Sequence, residues 1–446
     1  MEPIPILPPL PREEGVTQIE RFLEEMVRSL AWETPTPTRG RPKIIPSLCL
    51  WLGILVCLLR GARHQRDLWR LLAQGTLWSY PRFPVTDQAV YARLERDGVR
   101  PLQQLFDQVR TVLQERLTPV VRDTLAPFAT EVVALDETTL DHLTRRLPTL
   151  REAPSGSPDL VGGTLAGLFD LRRQQWRTVQ YRTEWQQNEK VAARSLVDTL
   201  PRGSLILADL GYFGFAWFDD LTAAGHWWIS RMRQKTSSSP IHVFYRHDQI
   251  RDVLVFLGTH RSDRAATAVR LIEFQVGSIH YRYITNVTDP HLLSMKQVAE
   301  LYARRWDFEL AVDMAKTHLG LHLLWSSKAV VIQQQVLATL ILAQILHALR
   351  LEIAYRAGVD PFEVSLQLLI RYLPQFAARG LDPVDAFLVH ARELGFIRPS
   401  TRTTIRAPVI PPEQIIPAPP DLVLTRPSRH AHANCGPMHD RSRRPS

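Results

Sequence analysis

Cysteine is nearly absent from this chain, with three residues in 446, at Cys49, Cys57 and Cys435. That sparsity excludes a disulfide framework and any CxxC zinc site, and a reducing cytoplasm is the natural setting. Lysine is also scarce, six residues against 48 arginines. The first apolar run falls short of bilayer length. The longest uncharged stretch near the start, residues 44–59, contains Pro46 and ends after 16 residues, short of the ~20 that a membrane helix needs. A buried core helix is expected there, and another over 329–349, where Gln333, Gln334, Gln335, Gln344 and His347 interrupt the apolar pattern. The chain does not open on a basic segment followed by an apolar core, so no secretory signal is expected. What is present is arginine: a net charge of +9 and a sequence pI of about 9.7 point to a polyanionic partner. With 45% apolar residues, the length suffices for two or three domains with large cores.

Three acids stand in informative settings. Asp136 closes the apolar run Val132-Val133-Ala134-Leu135, and Asp209 closes Leu205-Ile206-Leu207-Ala208, so each is expected at the end of a short buried strand. Glu309 lies in a helical pattern over residues 301–319, with Tyr302, Arg305, Glu309 and Lys316 at offsets of three, seven and fourteen residues. On a continuous helix these four fall within roughly 60° of one another. Hydrolysis of a phosphodiester calls for hard divalent cations held by carboxylate oxygens, and three converging carboxylates supply such a set. On the same face, Arg305 is expected to grip backbone phosphate by paired hydrogen bonds and Lys316 as a point charge, while Tyr302 bonds a phosphate or stacks on a sugar. Glu137, Asp141, Asp219, Asp220 and Asp313 are weaker candidates; strand alternation turns Glu137 away from Asp136.

The pattern Tyr302-Ala-Arg-Arg305-Trp-Asp-Phe-Glu309, followed by Lys316, resembles the signature of the DDE transposases of insertion-sequence family four. Leu135-Asp136-Glu-Thr-Thr resembles that family's first acidic block, although Glu-Thr stands where Gly-Ser or Gly-Thr is usual. Ala208-Asp209-Leu-Gly211-Tyr212-Phe213 resembles the second block. The likeness spans residues 130 to about 350, with a weaker one over the first 125. It implies cut-and-paste DNA transposition, with Asp136, Asp209 and Glu309 as catalytic metal ligands for two Mg²⁺ ions that Mn²⁺ can replace. It also implies transposon terminal inverted repeats and target DNA as partners, a hairpinned end intermediate, and a homodimer on DNA. Two other readings use the same residues: a DNA nuclease or resolvase on the same core, and an inactive domesticated DNA-binding protein. A membrane protein built on the two apolar helices is the weakest reading.

The fold class expected is α/β, a ribonuclease-H-like mixed sheet flanked by helices, with a β-rich insertion and an N-terminal helical domain. Residues 1–125 form the helical DNA-binding part, with helices over 16–32, 48–60, 65–74, 86–97 and 102–117. Within it, Gln88, Tyr91, Arg93 and Arg96 give one helix a polar, basic face suited to a DNA groove. Thr38-Arg39-Gly40-Arg41-Pro42-Lys43 resembles an AT-hook, which would put Arg39 and Arg41 into a minor groove. Residues 126–235 begin the catalytic domain with a strand, a hairpin around 171–175, a helix over 188–200, the Asp209 strand, a helix over 216–224 and a strand over 227–231. Residues 236–288 read as four strands of an insertion in which Tyr281 and Tyr283 are candidates for stacking on a flipped base. Residues 289–350 return to the catalytic domain with the Glu309 helix, and 351–398 form a C-terminal helical element. From 399 to 446 the chain is rich in proline and basic, and disorder is expected; His430, His432, Cys435 and His439 there are a weak metal motif.

Overall fold

The computed structural model describes residues 44–74, 82–118, 125–141, 161–183, 189–259, 263–379, 381–400 and 404–426. The expected helix over 16–32, the Arg39–Arg41 segment and the His/Cys tail lie outside these residues. The chain divides into two compact units, residues 1–208 with 303–404, and 209–302 with 405–446.

The first unit opens with α1 (Ser47–Leu59), α2 (Gln65–Gln74), α3 (Asp87–Asp97) and α4 (Arg100–Leu117). Helix α1 has no polar face: every residue from Cys49 to Leu58 is buried. Gly53 lets α2 approach closely, since a Cβ there would meet Leu68 Cδ1 at 2.9 Å. Thr86 caps α3 by accepting the Ala89 N–H at 3.3 Å. The face of α3 expected to read DNA is not free to do so at Arg93. That guanidinium is 5% exposed; it donates to the Ile45 carbonyl at 3.0 Å and Ser47 Oγ at 3.1 Å and pairs with Asp97. It satisfies polar groups at the start of α1, which a buried helix end requires.

The sheet of this unit follows: β1 (Val132–Asp141), β2 (Val161–Asp170), β3 (Gln175–Arg182), α5 (Glu189–Val197) and β4 (Leu205–Ala208), with strand order β3-β2-β1-β4. β2 lies antiparallel to both β1 and β3, whereas β4 is parallel to β1. The sheet is mixed, as expected, because the hairpin joins neighbours antiparallel and α5 carries the crossover back to a parallel strand.

The second unit contains α6 (Phe215–Ala223) and β5 (Trp227–Arg231), β6 (Ser238–His247), β7 (Ile250–Leu257), β8 (Val269–Val276) and β9 (Ile279–Thr285). These five strands run antiparallel in the order β5-β9-β8-β7-β6. At its centre Arg270 and Asp252, both buried, form a two-point ion pair at 2.7 and 2.6 Å. Residues 415–426, expected to be disordered, instead lie along this sheet. Ile416 N–H donates to the Phe244 carbonyl at 2.8 Å, and Ala268 N–H to the Leu424 carbonyl at 2.7 Å. The Arg426 side chain donates to the Gly258 carbonyl at 2.8 Å and covers the Phe256 ring. An edge strand presents unpaired backbone groups, and an extended proline-rich chain can satisfy them without forming a strand of its own.

Helix α7 (Met295–Arg304) leads back to the first unit, where α8 (Trp306–Asp313), a π-helical turn (Met314–His318), α9 (Ala329–Ala357), α10 (Leu366–Ala378) and α11 (Pro383–Val389) complete the chain. Helix α9 is long and apolar enough by composition to cross a membrane, yet 83% of its apolar window is buried inside the protein. It packs against α4, α1 and β3 as the core helix of the unit.

His347 in α9 is 2% exposed, sits edge-on to Phe169 at 5.8 Å, and has no hydrogen-bond partner at either ring nitrogen among the described residues. Burial, and then the charge of Arg350, hold its pKa well below the ordinary 6.5. The folded protein therefore refuses a proton that the unfolded chain accepts. Stability contributed by the neutral ring is complete above pH 6.5 and is lost as pH falls toward the folded pKa, with a slope of up to about 1.4 kcal/mol per pH unit. Denaturant midpoints measured across this acid range should fall more steeply for the native chain than for His347→Leu; equal slopes would exclude His347 as their source.

Candidate active site

The site is built on β1. Val132, Val133, Ala134 and Leu135 are fully buried, and so is the run Leu205-Ile206-Leu207 of β4. The two strands pair in register from Val132↔Leu205 to Leu135↔Ala208. The next residue along each chain is an aspartate, Asp136 and Asp209. Asp209 ends its strand as expected, with extended backbone, and its carbonyl accepts the Tyr212 N–H at 3.1 Å to close a 3₁₀ turn.

Asp136 does not end β1. The strand runs on to Asp141, paired with β2 alone: Asp136↔Gly167, Glu137↔Ala166, Thr138↔Leu165. The apolar run stops at Asp136 because the parallel partner stops at Ala208, whereas the antiparallel ladder needs no buried face to continue. Gly167 opposite Asp136 keeps the space tight but clear, since a Cβ there would meet the Trp176 ring at 3.0 Å. The room so left lets Trp176 pack edge-on against Phe308 of α8, at 5.0 Å. That contact seats the helix carrying Glu309 against the sheet.

The single continuous helix expected over 301–319 is interrupted twice. At Arg305 the chain turns between α7 and α8, with the Phe308 N–H reaching the Arg305 carbonyl at 3.1 Å, a tighter closure than the α-helical one. At Met314 it widens into the π-helical turn, where the Leu319 N–H donates to the Met314 carbonyl. A π turn rotates the following residues relative to the α phase, and such turns recur at functional sites.

The functional side chains of the first unit nevertheless meet on one face of β1. Arg305 Nη1 donates to Asp136 Oδ2 at 2.6 Å, and Nη2 donates to Glu309 Oε1 at 3.0 Å. The guanidinium is 6% exposed, Asp136 17% and Glu309 40%, so the bridge is covered on the Arg305 side and open at Glu309. Asp136 Oδ1 accepts the Glu137 N–H at 2.9 Å. Two residues along the same face, Thr138 Oγ1 and the Thr139 carbonyl both accept from Lys316 Nζ at 2.7 Å. Glu137 points away and pairs with Arg182, as strand alternation requires. Asp219 is a structural group: its carboxylate accepts the N–H groups of Ala266 and Thr267.

Tyr302 does not stand ready for a phosphate. It is 4% exposed, and its ring lies 5.1 Å from that of Tyr283. Tyr283 is also buried, and its hydroxyl pKa is raised by that burial. Tyr281 is half-buried and stacked on Phe274, with centroids 5.2 Å apart. These rings pack as ordinary strand aromatics. An acid that sequence reasoning passed over is Asp307. Its side chain is fully buried and accepts from Gln174 Nε2 at 2.9 Å and Arg304 Nε at 2.8 Å. Gln174 also donates to the Leu171 carbonyl and accepts from Arg350 at 3.2 Å. The one available signal was its place two residues before Glu309, on the opposite side of α8.

Among the described residues, no group of three or more His, Cys, Asp or Glu is gathered closely enough to hold a metal ion. Asp136 and Glu309 share a cationic guanidinium instead. Carboxylate oxygens are hard donors that suit Mg²⁺ or Mn²⁺, and two of them already face one positive group, so the donor chemistry fits a divalent cation.

Residues 130–345 match the family model of the transposase DDE domain, a segment that includes Asp136, Asp209 and Glu309. The match supports a DDE transposase, a class whose domains are generally dependent on divalent metal. No curated protein matches the sequence significantly. Among solved structures, the chain is similar to that described as the cryo-EM structure of a piggyBac transposase synaptic complex with hairpin DNA. The identity is 10% and the TM-score 0.40, with 88% of this chain and 84% of that one covered.

Proposed function

We propose that this chain is a cut-and-paste transposase of the insertion-sequence family four type, acting on the terminal inverted repeats of a mobile element and on target DNA. The observation that carries the reading is the Asp136–Arg305–Glu309 bridge, with Lys316 on the same face of β1, inside the segment that matches the transposase DDE domain. In this reading Asp136, Asp209 and Glu309 hold two Mg²⁺ ions, on a sheet of ribonuclease-H-like type. Such ions, when bound, sharpen an attacking oxygen and neutralise a leaving one.

The rest of the chemistry belongs to the chain's own residues. Asp136 and Glu309 supply oxygen ligands from a strand and from a helix docked on it, so their separation depends on packing rather than on a loop. Lys316 and Arg305 bind the backbone phosphates that flank the scissile bond. A water oxygen attacks the scissile phosphorus, the bond from phosphorus to the 3′-oxygen breaks, and the 3′-oxygen takes up a proton. That 3′-hydroxyl then attacks a second phosphodiester, of the opposite strand or of the target: its oxygen bonds to phosphorus as it gives up its proton, and the 3′-oxygen of the attacked phosphodiester leaves and takes up a proton. Two copies of the chain hold the two ends of the element.

Strand transfer tests the reading. Inverted repeats flanking the coding region, incubated with the protein and Mg²⁺, should be nicked and then joined through their 3′ ends to plasmid DNA. Nicking without joining would make the protein a nuclease or resolvase, and binding without nicking a DNA-binding protein that has lost the chemistry.

A further inference from the structure

Arg305 does not stand open to solvent, as a group waiting for a phosphate would. Its two terminal nitrogens are both directed at carboxylates, Asp136 at 2.6 Å and Glu309 at 3.0 Å, and its side chain is 6% exposed. The Lys316 ammonium, by contrast, is taken up by neutral oxygens of Thr138 and Thr139. Two carboxylates brought together without a cation repel each other, and the guanidinium removes that repulsion.

We propose that Arg305 is an internal counter-cation that gates metal loading: without DNA it holds Asp136 and Glu309 together and excludes a divalent cation, and a DNA phosphate draws it away. The proposal rests on the reading of these two acids as metal ligands. The exclusion has two parts. Asp136 Oδ2 already receives a short charged hydrogen bond while Oδ1 receives the Glu137 N–H, so an incoming ion meets a carboxylate whose charge is partly neutralised and whose remaining lone pairs are fewer. A divalent ion beside the guanidinium also meets a like charge at close range in a partly covered site, where the repulsion is not fully screened. A phosphodiester relieves both, because its oxygens match the paired donors of guanidinium as well as a carboxylate does. The open side of the bridge is at Glu309, 40% exposed, where a strand of DNA can reach it. On release the guanidinium need not enter bulk water, since its central carbon lies 5.2 Å from the centroid of the neighbouring Trp306 ring, which is itself 56% exposed. Metal binding and DNA binding are then coupled reciprocally, each favouring the other.

The test is Mn²⁺ binding to the full chain, followed by the electron paramagnetic resonance signal of free Mn²⁺, with no turnover involved. Arg305→Gln without DNA should bind Mn²⁺ about tenfold more tightly than the native chain, and Arg305→Lys should stay close to native. Adding short duplex DNA, with binding by the duplex alone subtracted, should tighten Mn²⁺ binding to the native chain and leave Arg305→Gln little changed. Equal affinity of native and Arg305→Gln chains overturns the gate. If Arg305→Gln does not fold, the native chain decides: a duplex that leaves its Mn²⁺ affinity unchanged overturns the gate equally. A failure of the underlying reading looks different, because Asp136→Asn and Glu309→Gln would then bind Mn²⁺ as the native chain does with DNA present.

Discussion

Asp136→Asn, Asp209→Asn and Glu309→Gln should each abolish nicking of transposon-end DNA while leaving end binding largely intact. A loss on the order of 10⁴-fold in the rate of strand cleavage is expected for each, and combining two should cost little beyond the worse single change, because groups that act as one unit are strongly non-additive. Each amide keeps the shape of the carboxylate and can still accept a hydrogen bond, but it carries no charge for a cation. The neighbours identify the replacement as local. In Asp136→Asn the Glu137 N–H can still donate to the oxygen that the amide retains, and the apolar residues that precede it in β1 are fully buried and untouched. Nicking in Mg²⁺ and electrophoretic binding to the same end fragment measure the two effects side by side. Cleavage retained by any one variant removes that residue from the site.

Much of this site was legible as pattern, and its partners were not. An apolar run ending in aspartate, twice, gave both strands, and these pair in register up to Leu135 and Ala208, the residues that precede the two aspartates. The hairpin around residues 171–175 was likewise readable from the strand-like runs on either side of it, and β2 and β3 flank it. Helical periodicity put Arg305, Glu309 and Lys316 on one face, but a period names a face and not what the face meets. Arg305 was therefore expected to contact phosphate, whereas its donors are taken by two acids, one of them 169 positions earlier in the chain. The break at Arg305 and the π turn at Met314 change the phase of the helix without any proline or glycine to mark them. The proline-rich segment over 415–426 misled for a related reason. Its composition does not support a core of its own, but it does not need one when an open sheet edge supplies the partners.

Asp307→Ala should be the most destabilising single change near the site, at about 3–5 kcal/mol, because it removes one member of a buried charged pair and strands the others. Asp307 is fully buried, and its carboxylate is the meeting point of three segments: Arg304 at the end of α7, Gln174 in the β2–β3 turn and, through Gln174, Arg350 of α9. Gln174 is held at a φ of 53° in that turn, a backbone state that costs energy for a residue with a side chain, so its two side-chain partners help to keep it there. Without the carboxylate, the Gln174 amide and the Arg304 guanidinium lose an acceptor in a region that water does not reach freely. Asp307→Asn should cost less, since one oxygen remains to accept from Gln174. The lost clamp also frees the start of α8, and Glu309 lies half a turn beyond it. Urea midpoints for the native chain, Asp307→Asn and Asp307→Ala should therefore descend in that order. Mn²⁺ affinity in the presence of duplex DNA should descend with them among variants that remain folded. An Asp307→Ala chain with a native midpoint would show that the carboxylate is not what joins α8 to the hairpin, and that the Trp176–Phe308 contact holds the helix in place without it.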